Sequence, residues 1–251
     1  MGRQNVEDIY PLSPMQQGML FHSLESPHSG VYFEQFNFTL HGQLNSPAFR
    51  QSWQQVVARH AVLRTSFLWE NLESPLQVVS KQVTLPWVEQ DWRELTPAEQ
   101  QAQLQGFLQA DVEKGFDLRR SPLMRCALFH LEEGKYQFVW SHHHSLMDGW
   151  CLTILTQEVL GCYEALTLGK AIALQTPQPY RSYIAWLQAQ DRSQAEAFWR
   201  QNLAGFEAPT SLGIDRGAIG KPRSAATYLE HRISCSESVT DCLRDLSQTH
   251  H

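Results

Sequence analysis

The chain has 251 residues, of which 42% are hydrophobic and 18% charged, and its formal net charge is -6. This composition is typical of a folded globular protein with a sizeable core and excludes an intrinsically disordered chain. No run of Lys or Arg stands out, so nucleic-acid binding has little support. No apolar stretch approaches the ~20 residues of a membrane span. Residues 1–10 are polar and mixed in charge, unlike a secretory signal.

The cysteines indicate free thiols rather than disulfides. There are five of them, an odd number, and no two form a C-x-x-C pair. Cys126 lies in an apolar, strand-like run, whereas Cys151 and Cys162 lie in a helical pattern. We therefore expect a protein of the reducing cytoplasm whose thiols are buried and unpaired.

The first half of the chain predicts helices and strands in mixed order. Ser13 can cap a helix that has Pro14 at its first position. Residues 31–40 alternate between apolar and polar side chains, as in a strand with one buried face. The predicted elements are a helix over 13–24, a strand over 31–40, a helix over 46–60, strands over 63–69, 76–79 and 83–89, and a helix over 96–114.

The second half continues this mixture and adds a long loop. Residues 205–222 are rich in Gly and Pro, which predicts a crossing loop or linker. The other predicted elements are a hairpin of strands 123–131 and 136–140, helices over 150–166, 180–190 and 193–203, a strand over 225–233, and a helix that starts at Ser236. This order predicts an α/β or α+β fold with helices packed on a sheet.

Residues 140–150, with the sequence Trp-Ser-His-His-His-Ser-Leu-Met-Asp-Gly-Trp, are the most informative stretch. The histidines lie where a strand is expected to end and a loop leads into a helix, a place where catalytic groups often lie. A metal site is the weakest interpretation, because adjacent histidines seldom face one ion and zinc sites favour i, i+4 helical pairs or C-x-x-C spacing. We therefore predict no metal.

Two further interpretations of these histidines remain open from the residues alone. In the first, they are packed core residues, and Asp148-Gly149 is a turn. In the second, one histidine performs acid–base chemistry, since imidazole titrates near neutrality and can accept and return a proton. Such a histidine needs a group that holds its ring. Asp148 is four residues beyond His144 and can hold it directly, or can pair with an arginine and fix the loop.

Four motifs in order resemble those of condensation domains of nonribosomal peptide synthetases. Residues 143–149 have the H-H-x-x-x-D-G pattern of that family, and 59–67 resemble its R-H-x-x-L-R-T-x-F motif. Residues 13–21 are similar to its opening S-x-x-Q motif, and 180–186 resemble its Tyr-rich motif more weakly. The resemblance covers nearly the whole chain from about Tyr10.

The family fold implies the domain boundaries. Condensation domains consist of two chloramphenicol-acetyltransferase-like lobes, each an α/β sandwich with a mixed sheet flanked by helices. By this resemblance, residues 1–9 are an N-terminal linker and 10–204 the N-terminal lobe. Residues 205–222 are then the crossover loop, and 223–251 the start of a truncated C-terminal lobe. The tunnel between the lobes, which holds the active site of the family, would have only one wall in this chain.

The resemblance also implies roles for the site residues. His144, the second histidine of the motif, would abstract a proton or orient the attacking amine. The Gly149 amide would help to polarise the reacting carbonyl. His143 would be a packed, hydrogen-bonded support, while His142 has no assigned role. Asp148 would pair with an arginine of the second motif. The arginines in question are Arg64, which we favour, and Arg59.

The substrate channel and the partners follow from the same resemblance. Ser13, Gln16 and Trp150 are expected to line the channel, although Ser13 also fits a simple helix cap. The implied reaction joins a donor acyl or peptidyl thioester to the amine of an acceptor aminoacyl thioester. Both substrates travel on the phosphopantetheine of upstream and downstream carrier domains, and an adenylation domain belongs to the same megasynthase. No cofactor, nucleic acid or membrane is expected to bind the domain itself.

Two alternative functions remain beside condensation. An epimerisation domain of the same superfamily shares the histidine motif, but it usually continues with small residues before a Trp. Here Trp150-Cys151-Leu152 follows Asp148-Gly149 directly, which favours condensation. The second alternative is a non-catalytic platform for carrier docking. The 251-residue chain is predicted to be inactive alone.

Overall fold

The structure, a computed structural model, describes residues 5–27, 29–172, 174–208 and 233–249. The chain divides into two compact units, Met1–Phe206 and Glu207–His251. Within the described residues, no helix is both long and apolar enough to cross a membrane. The mixture of helices and strands confirms the predicted α/β class.

The strands of the first unit form two sheets. The bounds are β1 Val6–Pro11, β2 Phe33–His41, β3 Thr65–Leu68, β4 Leu76–Ser80, β5 Trp87–Asp91, β6 Met124–Glu132 and β7 Lys135–His143. One sheet has the order β1-β4-β3 and is antiparallel. The other has the order β2-β7-β6-β5 and is mixed, since only β5 and β6 run parallel. Parallel neighbours need a crossover connection, and a long helix supplies it here.

The helices begin where their capping residues predict. Their bounds are α1 Pro14–Glu25, α2 Ser46–Arg59, α3 Pro97–Lys114, α4 Gly149–Thr167, α5 Tyr180–Gln188, α6 Ser193–Asn202 and α7 Glu237–Thr249. The helix between β5 and β6 is α3, and Thr96 and Glu99 form a capping box at its start. In the second unit, α7 confirms the helix predicted from Ser236 onward, with Leu243 and Leu246 one turn apart.

Aromatic side chains fill the core between the mixed sheet and the helices α2 and α4. The ring of Phe49 lies 5.0 Å from that of Phe138, and Trp53 lies 4.8 Å from Trp140. Each such pair contributes about 0.5–1.5 kcal/mol beyond the area that it buries. Because Phe138 and Trp140 alternate along β7, this strand is held firmly from one face up to the histidines.

Three boundaries differ from the sequence prediction. The interpretation of residues 1–9 as a linker is wrong for Val6 to Ile9, which form β1 and pair with β4. The strand expected over 83–89 begins only at Trp87. The strand expected to end at Trp140 continues through His143, because β2 and β6 pair with it along that length. The strand predicted over 225–233 lies outside the described residues up to 232, as does most of the predicted crossing loop.

Candidate functional site

The end of β7 carries the histidines to a turn beside β2. His143 lies opposite Phe33, and His142 lies opposite Glu34. His144 then begins a short 3-10 turn, and its backbone N–H donates to the carbonyl of Tyr32 at 2.8 Å. The three histidines therefore do not share one loop, since two of them belong to a strand and one to a turn.

His143 is buried, and its ring is held at both nitrogens. Its Nδ1 accepts from the Ser145 backbone N–H at 3.2 Å and lies 2.7 Å from the Ser145 hydroxyl. Because a backbone amide can only donate, Nδ1 is unprotonated and the proton lies on Nε2, which is 3.3 Å from the Ser23 hydroxyl. Burial and the nearby His144 lower the pKa of His143 to about 4. This packed, neutral and hydrogen-bonded ring has the geometry of a support.

His142 is an aromatic core residue. Its ring stacks on Phe36 at 5.8 Å and packs against Trp140 at 5.1 Å. Burial, with the nearby charges of His144 and His143, lowers its pKa to about 3. Its Nδ1 has no hydrogen-bond partner among the described residues. A ring in this position stays neutral at physiological pH, which agrees with the absence of an assigned role.

His144 is the histidine of the three that solvent reaches, with 31% of its side chain exposed. The ring stacks nearly parallel on Tyr32, with 6.3 Å between centroids. Its Nδ1 is shielded from solvent and lies 3.5 Å from a carboxylate oxygen of Glu34 without making a hydrogen bond. The ring therefore keeps one edge open for a substrate, while its other edge faces β2.

Tyr32, which stacks on His144, has an unusual backbone conformation. Its φ is 61°, in the left-handed region that a tyrosine rarely adopts. Such a residue costs about 1–3 kcal/mol, and the surrounding structure must hold it in place. Here the hydrogen bond from the His144 backbone and the pairing of β2 with β7 do so. Strained residues of this kind cluster at functional sites, which marks this turn.

Asp148 and Gly149 form the start of α4. The Asp148 carboxylate accepts from the backbone N–H groups of Trp150 at 3.0 Å and Cys151 at 3.3 Å. Gly149 is the first helical residue, and its N–H has no acceptor among the described residues. A side chain at Gly149 would meet nothing within 4 Å, so close packing does not require glycine here. Trp150 is 88% exposed.

The predicted pairing of Asp148 with an arginine is wrong. Arg64 is buried and pairs with Glu7 of β1 at 2.7 Å, and it also donates to the carbonyl of Ser80. Arg59 pairs at 3.1 Å with Glu158 of α4. Within the described part of the chain, neither arginine reaches Asp148, whose carboxylate is used as a helix cap. The arginines instead hold β1 and α4 onto the lobe.

The predicted channel position of Ser13 and Gln16 is also wrong for this lobe. Both are only 4% exposed and form the capping box of α1. The Gln16 amide then donates to the Ser145 carbonyl at 3.2 Å and exchanges hydrogen bonds with the amide of Gln77. The motif thus couples α1 to the histidine turn. Sequence reasoning missed Gln77, which gives no local signal because its partners are distant in the chain.

A cavity of about 410 Å³ lies beside the turn, on the side of His143. Aromatic and charged side chains share its wall, among them Phe33, Phe116, Lys114 and Arg119. A larger cavity of about 1000 Å³ between α2 and residues 81–85 contains none of the predicted site residues. No group of three or more His, Cys, Asp or Glu side chains in the described ranges is arranged to hold a metal ion.

The comparisons with known proteins agree with this architecture. A family model described as "Condensation domain" matches residues 6–251. The chain therefore belongs to the condensation-domain family of nonribosomal peptide synthetases.

Relatives of known name are much longer synthetases. The chain is 43% identical to part of the linear gramicidin synthase of Brevibacillus parabrevis over 247 residues, which are 98% of this chain and 3% of that polypeptide. It is 36% identical to bacitracin synthase 1 of Bacillus licheniformis over 247 residues, 98% of this chain and 5% of that protein. The chain thus spans less than a tenth of these relatives.

Solved structures confirm the chloramphenicol-acetyltransferase-like fold. The starter condensation domain of the rhizomide synthetase RzmA matches with a TM-score of 0.71 at 24% identity, covering 81% of this chain and 50% of that one. The first condensation domain of the calcium-dependent antibiotic synthetase, in complex with a substrate analogue, matches with a TM-score of 0.69 at 19% identity, covering 82% and 51%. The chain spans about half of these solved domains.

Proposed function

We propose that this chain supplies the histidine wall of an active site that forms an amide bond between two carrier-bound thioesters. The single observation that carries the proposal is His144, the partly exposed histidine of the H-H-x-x-x-D-G motif, on a turn held rigidly by β2 and β7. Family membership supports peptide-bond formation as the reaction class.

In the proposed reaction, the amine of an acceptor aminoacyl thioester attacks the carbonyl carbon of a donor acyl or peptidyl thioester. A C–N bond forms and the C–S bond breaks, so that the donor carrier leaves as a thiolate. His144 accepts the amine proton at Nε2, or orients the amine, and the proton passes to the leaving thiolate. A general base contributes about 10²–10⁴ in rate. Positioning of both substrates can contribute more, up to ~7–11 kcal/mol.

The start of α4 fits the developing oxyanion. The N-terminus of a helix carries a partial positive charge, and the Gly149 N–H at this end has no acceptor among the described residues. Asp148 takes the next two amides and keeps the helix end ordered. We assign to Gly149 the polarisation of the carbonyl oxygen, with Trp150 on the open side where a substrate arm arrives.

The proposed partners are carrier domains. The substrates would be held on phosphopantetheine arms of an upstream donor and a downstream acceptor carrier, with an adenylation domain in the same synthetase. This part of the proposal is supported by the relatives, which are multidomain synthetases. We expect no turnover from the 251-residue chain by itself, since the solved domains that it matches are about twice as long.

The test compares wild type and His144→Ala in the full-length condensation domain with donor- and acceptor-loaded carriers. We expect product formation to fall by about 10²-fold or more for at least one substrate pair. His41→Ala, at an exposed position at the far end of β2, is the matched control and should keep its rate. Unchanged rates for several substrate pairs in His144→Ala would overturn the proposal and leave carrier docking as the function of the lobe.

A further inference from the structure

Two residues of β2 and its entry bound the ring of His144, and neither belongs to the motifs that mark the family. Tyr32 lies flat against the ring, with 11° between the two planes. Glu34 brings a carboxylate oxygen to 3.5 Å from Nδ1, on the edge of the ring that solvent does not reach. The plane of His144 is therefore set from one side, and a negative charge faces one of its two nitrogens.

The other charged or titratable groups near the ring do not compete for Nδ1. His143 and His142 are buried in β7 and neutral at physiological pH. From α1, His22 packs against the opposite neighbour, Tyr32, at 6.5 Å between centroids and lies beside Glu25. Asp148, in the same turn region, uses its carboxylate to cap α4. Glu34 is thus the carboxylate that faces the shielded nitrogen of His144.

We propose that Glu34 is the positioning residue of His144, which it holds with the proton on Nδ1 so that Nε2 is the free base, while Tyr32 fixes the plane of the ring. The inference deepens the proposed function and rests on it, because a defined tautomer matters only if His144 handles a proton. Neither Glu34 nor Tyr32 touches the reacting atoms in the proposed reaction.

The chemistry follows from the tautomers of a neutral imidazole. One nitrogen carries the proton and the other accepts, and the hydrogen bond at the first decides which nitrogen is which. A carboxylate accepts but does not donate when ionised, so it favours a proton on the nitrogen that it faces. When Nε2 takes the amine proton, both nitrogens carry protons, and Glu34 stabilises the resulting cation. The proton then leaves Nε2 for the thiolate, and the starting tautomer returns.

The observed separation is longer than a hydrogen bond. Glu34 is 42% exposed, and a carboxylate on a strand surface can serve solubility alone. Catalytic hydrogen bonds are often long without substrate and shorten when it binds. The rigid parts of the arrangement are the backbone bond from His144 to Tyr32 at 2.8 Å and the cross-strand register of β2 with β7. These fix the two side chains near each other, so that a side-chain rotation closes the remaining gap.

The first experiment measures the tautomer directly in the 251-residue chain. The ¹⁵N chemical shifts of labelled histidine rings distinguish a protonated from an unprotonated nitrogen, and His144→Gln identifies the His144 signals. We expect a protonated Nδ1 in wild type. In Glu34→Ala and Glu34→Gln, the Nδ1 signal should shift toward the unprotonated position, because an amide serves either tautomer. Unchanged His144 shifts in Glu34→Ala would overturn the inference.

A matched control comes from the second histidine–glutamate contact between strands. Glu89 of β5 lies 3.0 Å from Nε2 of His130 on β6, far along the sheet from the turn. Glu89→Gln should change the His130 signals and leave those of His144 as in wild type. A His144 shift of the same size in Glu89→Gln would mean that loss of any strand carboxylate acts on it, and would overturn the assignment to Glu34.

The second experiment measures condensation by the full-length domain. We expect Glu34→Gln to lower kcat about tenfold, less than His144→Ala does, with the KM for the loaded carriers unchanged. A changed tautomer without any change in kcat would overturn the positioning role. The two proposals fail separately. If His144→Ala retains full activity, the proposed function fails whatever the ring signals of Glu34→Ala show.

Discussion

Two polar clusters lie on the same pair of strands and are built in opposite ways. Below α3, the carboxylate of Asp111 accepts from Ser141, from Gln35 and from Arg125, whose guanidinium also donates to two backbone carbonyls. One residue further along each strand, Glu34 lies opposite His142. There the Nδ1 atoms of His142 and His144 have no hydrogen-bond partner among the described residues.

The difference shows how one sheet serves both stability and chemistry. A buried polar network whose members are all bonded rigidifies the fold, whereas an unpaired buried polar atom is costly and needs a reason. Arg125 is also sandwiched by aromatic rings, 4.3 Å from the centroid of Phe116 and 5.4 Å from that of Phe33. The Asp111 cluster anchors the strands, and the anchored strands can then hold a strained and partly unsatisfied turn at their ends.

Removal of the centre of the anchoring cluster should have the largest effect. Asp111→Ala leaves the buried guanidinium of Arg125 without its ion pair, since their side chains are 6% and 13% exposed. We expect the free energy of unfolding to fall by about 3–5 kcal/mol. Denaturant titration of the 251-residue chain measures it. Glu113→Ala, an exposed position on the same helix, should stay within about 0.5 kcal/mol of wild type.

If Asp111→Ala unfolds no more easily than Glu113→Ala, the cluster is not an anchor. The comparison with the histidine turn would then lose its basis. A loss confined to the range of ordinary surface substitutions, up to about 0.5 kcal/mol, has the same meaning.

The buried histidines should make the lobe sensitive to acid. Their pKa values, about 3 for His142 and about 4 for His143, lie below the value of 6.5 for an unfolded histidine. The unfolded chain therefore binds more protons, and stability is complete above pH 6.5 and falls as the pH drops toward 4. Each histidine contributes a slope of about 1.4 kcal/mol per pH unit in this window.

Denaturation midpoints between pH 7 and 4.5 test this slope. His143→Gln retains a hydrogen-bonding side chain and should lose roughly half of the slope, since one of the two protons is removed from the balance. His41→Gln, at an exposed position, should keep the slope of wild type. Equal slopes in wild type and His143→Gln would show that these rings are not the acid-sensitive groups.

The smallest effect is expected at the start of α4. Asp148 caps the helix, so Asp148→Ala should cost about 0.5–2 kcal/mol and Asp148→Asn almost nothing, because Asn caps equally well. A buried ion pair with Arg64 would instead make Asp148→Ala cost about 3–5 kcal/mol. A double-mutant cycle of Asp148→Ala with Arg64→Met separates these cases. Additivity within about 0.5 kcal/mol agrees with the cap, and a larger coupling contradicts it.

Local patterns predicted the helices and strands well because their signals lie within a few residues. Ser13 with Gln16 and Thr96 with Glu99 are capping boxes whose members lie only three positions apart. The alternation over 31–40 predicted β2 for the same reason. The prediction was wrong where pairing decided the outcome. His142 and His143 are strand residues because β2 and β6 hydrogen-bond to them, which no local pattern encodes.

The site itself was predictable only as far as its motif. The H-H-x-x-x-D-G pattern singled out His144, and the structure shows it as the accessible histidine. The partner of Asp148 was wrong, because two arginines close in motif terms find other carboxylates in the fold. Tyr32 and Glu34 were missed as site residues, since their neighbours lie more than a hundred positions away and the ring stack arises only after folding.

The pairing of β2 with β7 also dictates when the site can form during synthesis. Thr39 and Gln137 are cross-strand partners separated by 98 positions in the chain. At a translation rate of ~5–20 residues per second, β2 waits roughly 5–20 s after leaving the ribosome before its partner emerges. During that interval its edge is open to wrong partners. The histidine turn is therefore among the last parts of this lobe to assemble, and conditions that slow elongation prolong its vulnerable period.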